Sequence, residues 1–192
     1  VAFGPRGLLG AGTGPARGGT VRVWPNGPTN GPTTLNTSGP VTSIAFTPRS
    51  PEIVLTSDPT HVTLWNYRFN TTKRFNIVDR CPGLPRQVAL PDRSSYFVVI
   101  TRRRAECNPD YLCTISTEDR TVLDRFRRKN VSNVEPMGGD LVAFSRGRYV
   151  YTLNLRTRKE RIVFTSENKV HDLSYVDGRL AVANSDVVLL DL

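Results

Sequence analysis

An all-β fold is what this sequence predicts, and three observations predict it. Strand–turn–strand stretches recur at steps of 43, 44, 45 and 39 residues, measured between Ala2, Ala45, Ala89, Val134 and Leu173. The 14 prolines and 15 glycines among 192 residues interrupt the chain too often for long helices. The apolar runs are short and do not alternate cleanly. In Val41-Thr-Ser-Ile-Ala-Phe46 neither face is strongly polar, which suits a strand covered on both sides. A period of about 40–45 residues with four strands per unit is the signature of a propeller blade. The expected architecture is a β-propeller of about five four-stranded blades, over roughly 1–35, 41–78, 86–126, 132–164 and 169–192.

Each blade is justified in turn by its residues. First strands lie around the five anchor positions. Turn-forming stretches follow three of them, "TPRS", "LPDRS" and "VDGR", where Pro presets φ and Asp or Gly suits a tight bend. Short apolar second strands follow at Ile53–Thr56, Tyr96–Thr101, Leu141–Phe144 and Leu180–Ala183. Third strands fall at Val21–Trp24, Val62–Trp65, Tyr149–Leu153 and Val187–Leu190. More polar fourth strands fall at Thr33–Leu35, Lys73–Val78, Val122–Phe126 and Arg161–Phe164, as a wet outer rim requires. The third unit is long, and residues 102–120, "RRRAECNPDYLCTISTEDR", are expected to be an insert forming a protruding hairpin or extended strands on one rim. The first unit starts on its innermost strand and the last stops on its third. The expectation is therefore an open ring, part of a larger propeller or completed by another chain.

Two units carry a family resemblance. "GGTVRVW" ending at Trp24, and "VTSIAFTPRSPEIVLTSDPTHVTLWN" with Trp65 in the matching place, resemble WD-repeat blades. "TVLDRF", "YVYTLNL" and "VVLLDL" replace the tryptophan motif in the other three, so the resemblance is divergent. It implies a propeller that assembles complexes without catalysis. The family's Gly-His pair is missing, since that region reads "LNTSGPV". Only Ser57, Asp58 and Trp65 remain to build the hydrogen-bonded network that the pair would complete.

Charge points to partners. The formal net charge is +9, with 26 basic and 17 acidic residues. Residues 1–60 hold 4 basic and 2 acidic side chains, 61–130 hold 14 and 7, and 131–192 hold 8 and 8, so the excess sits in the middle third. Arg102, Arg103, Arg104, Arg127 and Arg128 are the candidate partner-binding residues, because guanidinium grips carboxylate or phosphate in bidentate fashion. Cys107 and Cys113 flank "NPDYL" and are expected to bridge a hairpin in an oxidising compartment, with Cys81 left free; reduced thiols in a cytosolic protein are equally consistent. Sequons begin at Asn36, Asn70 and Asn130, all in segments read as loops. The WD resemblance implies a cytoplasmic protein, the sequons and the bridge a secreted glycoprotein. No apolar run of about 18 residues spans a membrane.

Other motifs fail on their context. Gly10, Gly12 and Gly14 lack the following helix that a dinucleotide loop needs, and Thr13 stands where a phosphate loop needs Lys. His61 and His171 have no nucleophile tied to them, although Asp172 adjoins His171. Two scattered His and two nearby Cys do not make a zinc site. Asp172 alone does not supply the carboxylate pair of a glycosidase. No catalytic, cofactor or metal residue is assigned. The expected function is a non-catalytic protein-interaction scaffold docking through blade loops and the 102–120 insert. The alternatives are a nucleic-acid or polyanion binder using the Arg-rich middle third, and a propeller hydrolase with an axial site.

Overall fold

The computed structural model describes residues 2–3, 9–13, 18–24, 31–46, 52–56, 61–77, 81–90, 96–102, 110–119 and 121–192. Among the described residues nineteen strands form five antiparallel sheets, each a meander of consecutive strands. The first holds β1 (Ala2–Phe3), β2 (Leu9–Thr13), β3 (Gly19–Trp24) and β4 (Thr33–Thr37). The second holds β5 (Ser43–Phe46), β6 (Glu52–Thr56), β7 (His61–Asn66) and β8 (Thr71–Asn76). The third holds β9 (Leu84–Ala89), β10 (Tyr96–Arg102), β11 (Asp110–Ser116) and β12 (Val122–Arg128). The fourth holds β13 (Val131–Gly138), β14 (Leu141–Arg146), β15 (Tyr149–Asn154) and β16 (Glu160–Thr165). The fifth has three strands: β17 (Asp172–Val176), β18 (Arg179–Ala183) and β19 (Val187–Asp191).

The sheets are the blades of a β-propeller, packed in chain order through their first strands, β1 on β5, β5 on β9, β9 on β13 and β13 on β17. Among the described residues they do not close into a ring. Consecutive strands of a blade are antiparallel neighbours, so a two-residue turn is enough to join them. Asp177 (φ 50°) and Gly178 (φ 85°) make such a turn between β17 and β18. Positive φ at both central positions gives the twist that suits a tight hairpin.

The missing alternation in the strands now has its cause. Successive residues of one strand enter different cores. On β10, Phe97 and Val99 pack toward blade two with Val62, Leu64 and Phe75, whereas Val98 and Ile100 pack toward blade four with Val142 and Phe144. On β14, Val142 and Phe144 face blade three and Ala143 faces blade five with Leu173 and Leu180. Apolar burial of about 25 cal/mol per Å² therefore acts at every seam, not at one central core.

The seams also carry a polar clip. Ser43 Oγ accepts the Val88 N–H at 3.2 Å, joining β5 to β9. Gln87 Oε1 accepts the Val134 N–H at 3.1 Å, while its Nε2 donates to Val134 O at 3.3 Å, joining β9 to β13. Glu135 Oε1 accepts the Tyr175 N–H at 3.0 Å, joining β13 to β17. Each of these innermost strands thus lends one side chain to the next strand's backbone.

Gly12 lets blade one approach blade two. A Cβ there would lie 2.5 Å from Val41 Cγ1 and 2.7 Å from Val41 Cβ, too close for either atom. Gly12→Ala is expected to lower stability by about 1–3 kcal/mol, the usual cost of an overpacked contact, read from the denaturant midpoint. An unchanged midpoint would show that the first blade shifts freely.

Two expectations are corrected here. Within the stretch 102–120, Asp110–Ser116 does not protrude from the rim; residues 103–109 lie outside the described residues. The described part of that stretch is mostly the regular third strand of blade three: β11 pairs with β10 on one side and β12 on the other, and Leu112, Cys113 and Ile115 are buried. Length alone suggests an insert, but an extra strand length within a blade also lengthens a unit. Second, Asn36 is not in a loop; it lies exposed on β4, opposite Thr20 of β3.

Candidate functional site: one end of blade three

The meander puts the candidate arginines at one end of one blade. β10 ends at Arg102, β11 begins at Asp110 opposite Arg128, and β12 ends at Arg127 and Arg128. Antiparallel order brings the end of β10, the start of β11 and the end of β12 to the same edge. Arg102 and Arg127 are exposed there, and Lys129 and Arg146 follow on the adjoining edge of blade four, where Arg146 pairs with Val131. Arg103, Arg104 and Cys107 lie outside the described residues.

Arg128 is a strut, unlike its neighbours. Its Nε and Nη2 both reach Glu160 Oε2, at 2.9 and 2.7 Å, and its Nη1 donates to Arg127 O at 2.8 Å. Glu160 belongs to the outer strand of blade four, so this half-buried pair ties two rims together. Arg158 and Asp124 make a second tie at 2.9 Å. Tyr96 makes a third at the opposite end, its hydroxyl donating to Asp140 at 3.2 Å. Burial first, then the Asp140 charge and bond, push the Tyr96 hydroxyl up to about 12.

Asp110 organises the edge. Its carboxylate is buried and accepts the Val131 N–H at 3.0 Å, which fixes the entry into blade four. Burial pushes its pKa up; the Val131 bond, the Arg102 charge and the Asn130 N–H act the other way. Sequence reasoning passes over Asp110. The signal is present, because a carboxylate closing the turn from Arg128 to Val131 satisfies an N–H that the strand ladder leaves open.

The cysteine pairing is corrected. Cys113 is bonded to Cys81, not to Cys107, across a separation of 32 residues and a Cα–Cα distance of 6.2 Å. Cys113 lies inside β11 on the face toward blade two, and Cys81 lies in the segment leading into β9, in the same core. Nearness along the chain suggests the other pair, but the segment leading into β9 meets β11 of the same blade, and that contact decides it. The Cys81–Cys113 bridge therefore anchors the start of blade three to its own third strand.

The remaining candidates are dispersed. Trp65 is fully buried, and its indole N–H donates to Asn70 Oδ1 at 3.2 Å in the turn after β7. Ser57 and Asp58, expected to share a network with Trp65, lie outside the described residues. Asn70 (φ 52°) and Asn130 (φ 57°) occupy exposed turns. His171 and Asp172 are exposed at the start of the fifth blade's inner strand, and His61 opens β7. Among the described residues no group of three or more His, Cys, Asp or Glu converges as metal ligands. No described helix is long and apolar enough to cross a membrane.

The fold defines a β-propeller. Among solved structures the chain is similar to the β-propeller domain of Cps50 (Swd1) from Myceliophteria thermophila, with a TM-score of 0.71 and 15% identical residues. The match covers 95% of this chain and 62% of that one. At that identity the likeness shows the fold alone. No family model matches the sequence, and no curated protein matches it.

Proposed function

We propose that this chain is a non-catalytic protein-interaction scaffold of divergent WD-repeat type, docking partners through the strand ends and loops of its blades. One observation carries the reading: Arg102 and Arg127, far apart in sequence, stand exposed on the same edge of blade three and make no ion pair among the described residues. A sheet holding exposed guanidinium groups at one edge suits recognition of a carboxylate-bearing partner. Further blades, of the same chain or another, complete the arc on this reading. The exposed sequons at Asn70 and Asn130 and the Cys81–Cys113 bridge fit passage through an oxidising compartment.

The test compares wild type with the double variant Arg102→Ser, Arg127→Ser by cross-linking in cell extract. Partners are expected to fall several-fold in yield while the melting temperature stays within about 2 °C, since exposed charges contribute little to stability. An unchanged partner set would overturn docking at this edge. Arg128 is left intact in the test because it holds Glu160.

A further inference from the structure

We infer that this edge of blade three receives an acidic peptide segment laid from the propeller axis toward the rim, with one carboxylate side chain seated in an axial cleft against Arg86. The inference rests on the scaffold reading and names its ligand chemistry.

The cleft has a volume of about 360 Å³ and lies between the inner strands of blades two and three, with Gly12 of blade one at its wall. The lining is mainly polar: Thr42 and Ser43 bring hydroxyls, the latter already accepting the Val88 N–H, Arg86 brings charge, and Val41 and Ile44 add a small apolar share. Gln87 also lines it, but its amide is spent on Val134. Arg86 is exposed and makes no ion pair among the described residues. A guanidinium in a mainly polar cleft fits a carboxylate side chain, which an acidic peptide supplies.

From the cleft the charge continues outward. Arg86 lies two residues after Leu84, and Leu84 pairs with Arg102. Arg102 stands next to the β11 start, and Arg127 pairs with Tyr111 on that strand. Neighbouring strands are about 4.8 Å apart, so the path from β9 to β12 is roughly 14 Å. An extended peptide rises at most about 3.3–3.6 Å per residue and crosses that path in four or five residues. The carboxylate native to this edge, Asp110, is buried and accepts the Val131 N–H; the Arg102 charge acts on it, but the two form no ion pair among the described residues.

Nucleic acid fits the same edge less well. Single strands are held by cationic grooves with aromatic platforms on which bases stack. The cleft is lined by no aromatic residue among those described. Tyr149, on the neighbouring edge of blade four, has the Arg148 guanidinium 5.1 Å over its ring.

The experiment titrates the folded chain with a fluorescently labelled ten-residue oligoglutamate, reading anisotropy. Parallel titrations use a ten-nucleotide single-stranded DNA. Arg86→Ser is expected to weaken oligoglutamate binding about tenfold or more, the loss of a charge-assisted bidentate contact. Arg22→Ser, which removes an equally exposed arginine from β3 in blade one, is expected to change it less than twofold. Equal losses from both variants would reduce the effect to net charge and overturn the site. Absent oligoglutamate binding, or tighter binding of the DNA, would also overturn it. The two proposals fail separately. Cross-linked partners lost in the Arg102, Arg127 double variant but kept by Arg86→Ser would remove the axial anchor and leave the scaffold. Oligoglutamate binding that depends on Arg86, with partners indifferent to the double variant, would do the reverse.

Discussion

Glu135→Gln is expected to stabilise the protein by roughly 2–3 kcal/mol at pH 8 and to leave it nearly unchanged at pH 4.5. Glu135 sits on β13 at the seam with blade five, and its pKa is raised from the ordinary 4.5 to about 7. Burial is the main cause; the nearby Asp172 carboxylate adds to it, and the Tyr175 N–H opposes both. In the unfolded chain the proton leaves near 4.5, whereas in the fold it stays until about 7. Between those values the folded state binds more protons. Stability from this group is therefore complete below about 4.5 and is lost as pH rises through about 7. The size follows from about 1.4 kcal/mol per pKa unit, reduced for the residual solvent contact of the carboxyl.

Glutamine suits the position because the preceding seam already uses one. Gln87 grips Val134 through both amide atoms without a charge to bury. A neutral amide in place of the Glu135 carboxylate keeps an acceptor for the Tyr175 N–H and removes the burial of an anion. The check is a pair of denaturation series from pH 4.5 to 8 on wild type and variant, taken as a difference. A difference that is flat with pH would show that Glu135 titrates as it does in the unfolded chain.

Loss of the Cys81–Cys113 bridge is the second large effect, with an expected cost of about 3–4 kcal/mol from the freed loop of some 32 residues. At roughly 2–4 °C per kcal/mol for a chain of this length, Cys81→Ser or Cys113→Ser should lower the melting temperature by about 10 °C. Cys107→Ser should leave it unchanged. Counting thiols cannot separate the two pairings, since either leaves one free. Peptide mapping of unreduced protein can, by showing a linked pair from around 81 and 113. A linked pair from 107 and 113, or three free thiols, would defeat the assignment.

The repeat of about 43 residues is legible because each blade is built locally. Turn residues such as Asp177 and Gly178 and short apolar strands such as Leu180–Ala183 signal a hairpin in any context. Trp24 and Trp65 mark two third strands for the same reason. The long third unit misleads, because Asp110–Ser116 carries no tryptophan and reads as part of an insert. Its burial on both faces, which makes it a central strand, depends on neighbours in blades two and four.

The candidate site is legible as composition and not as arrangement. Arg102 and Arg127 stand out as members of basic clusters. That they share an edge with each other, and that Arg128 is spent on Glu160, follows from strand order and from the next blade. Arg86 carries no signal, as a single arginine within "LPRQVAL" looks like any solvated residue.

What the sequence by itself determined was the all-β class, the blade period and the turns, because hydrogen-bonded hairpins are written in residues within one unit of each other. What only the tertiary structure decided was the Cys81–Cys113 pairing within blade three and the contacts at the seams: the Gln87 and Glu135 clips and the axial cleft. The bridge and the two clips join residues 30 to 50 positions apart, the clips through the packing of one blade on the next. Such contacts are set by which faces meet, and no local pattern encodes that.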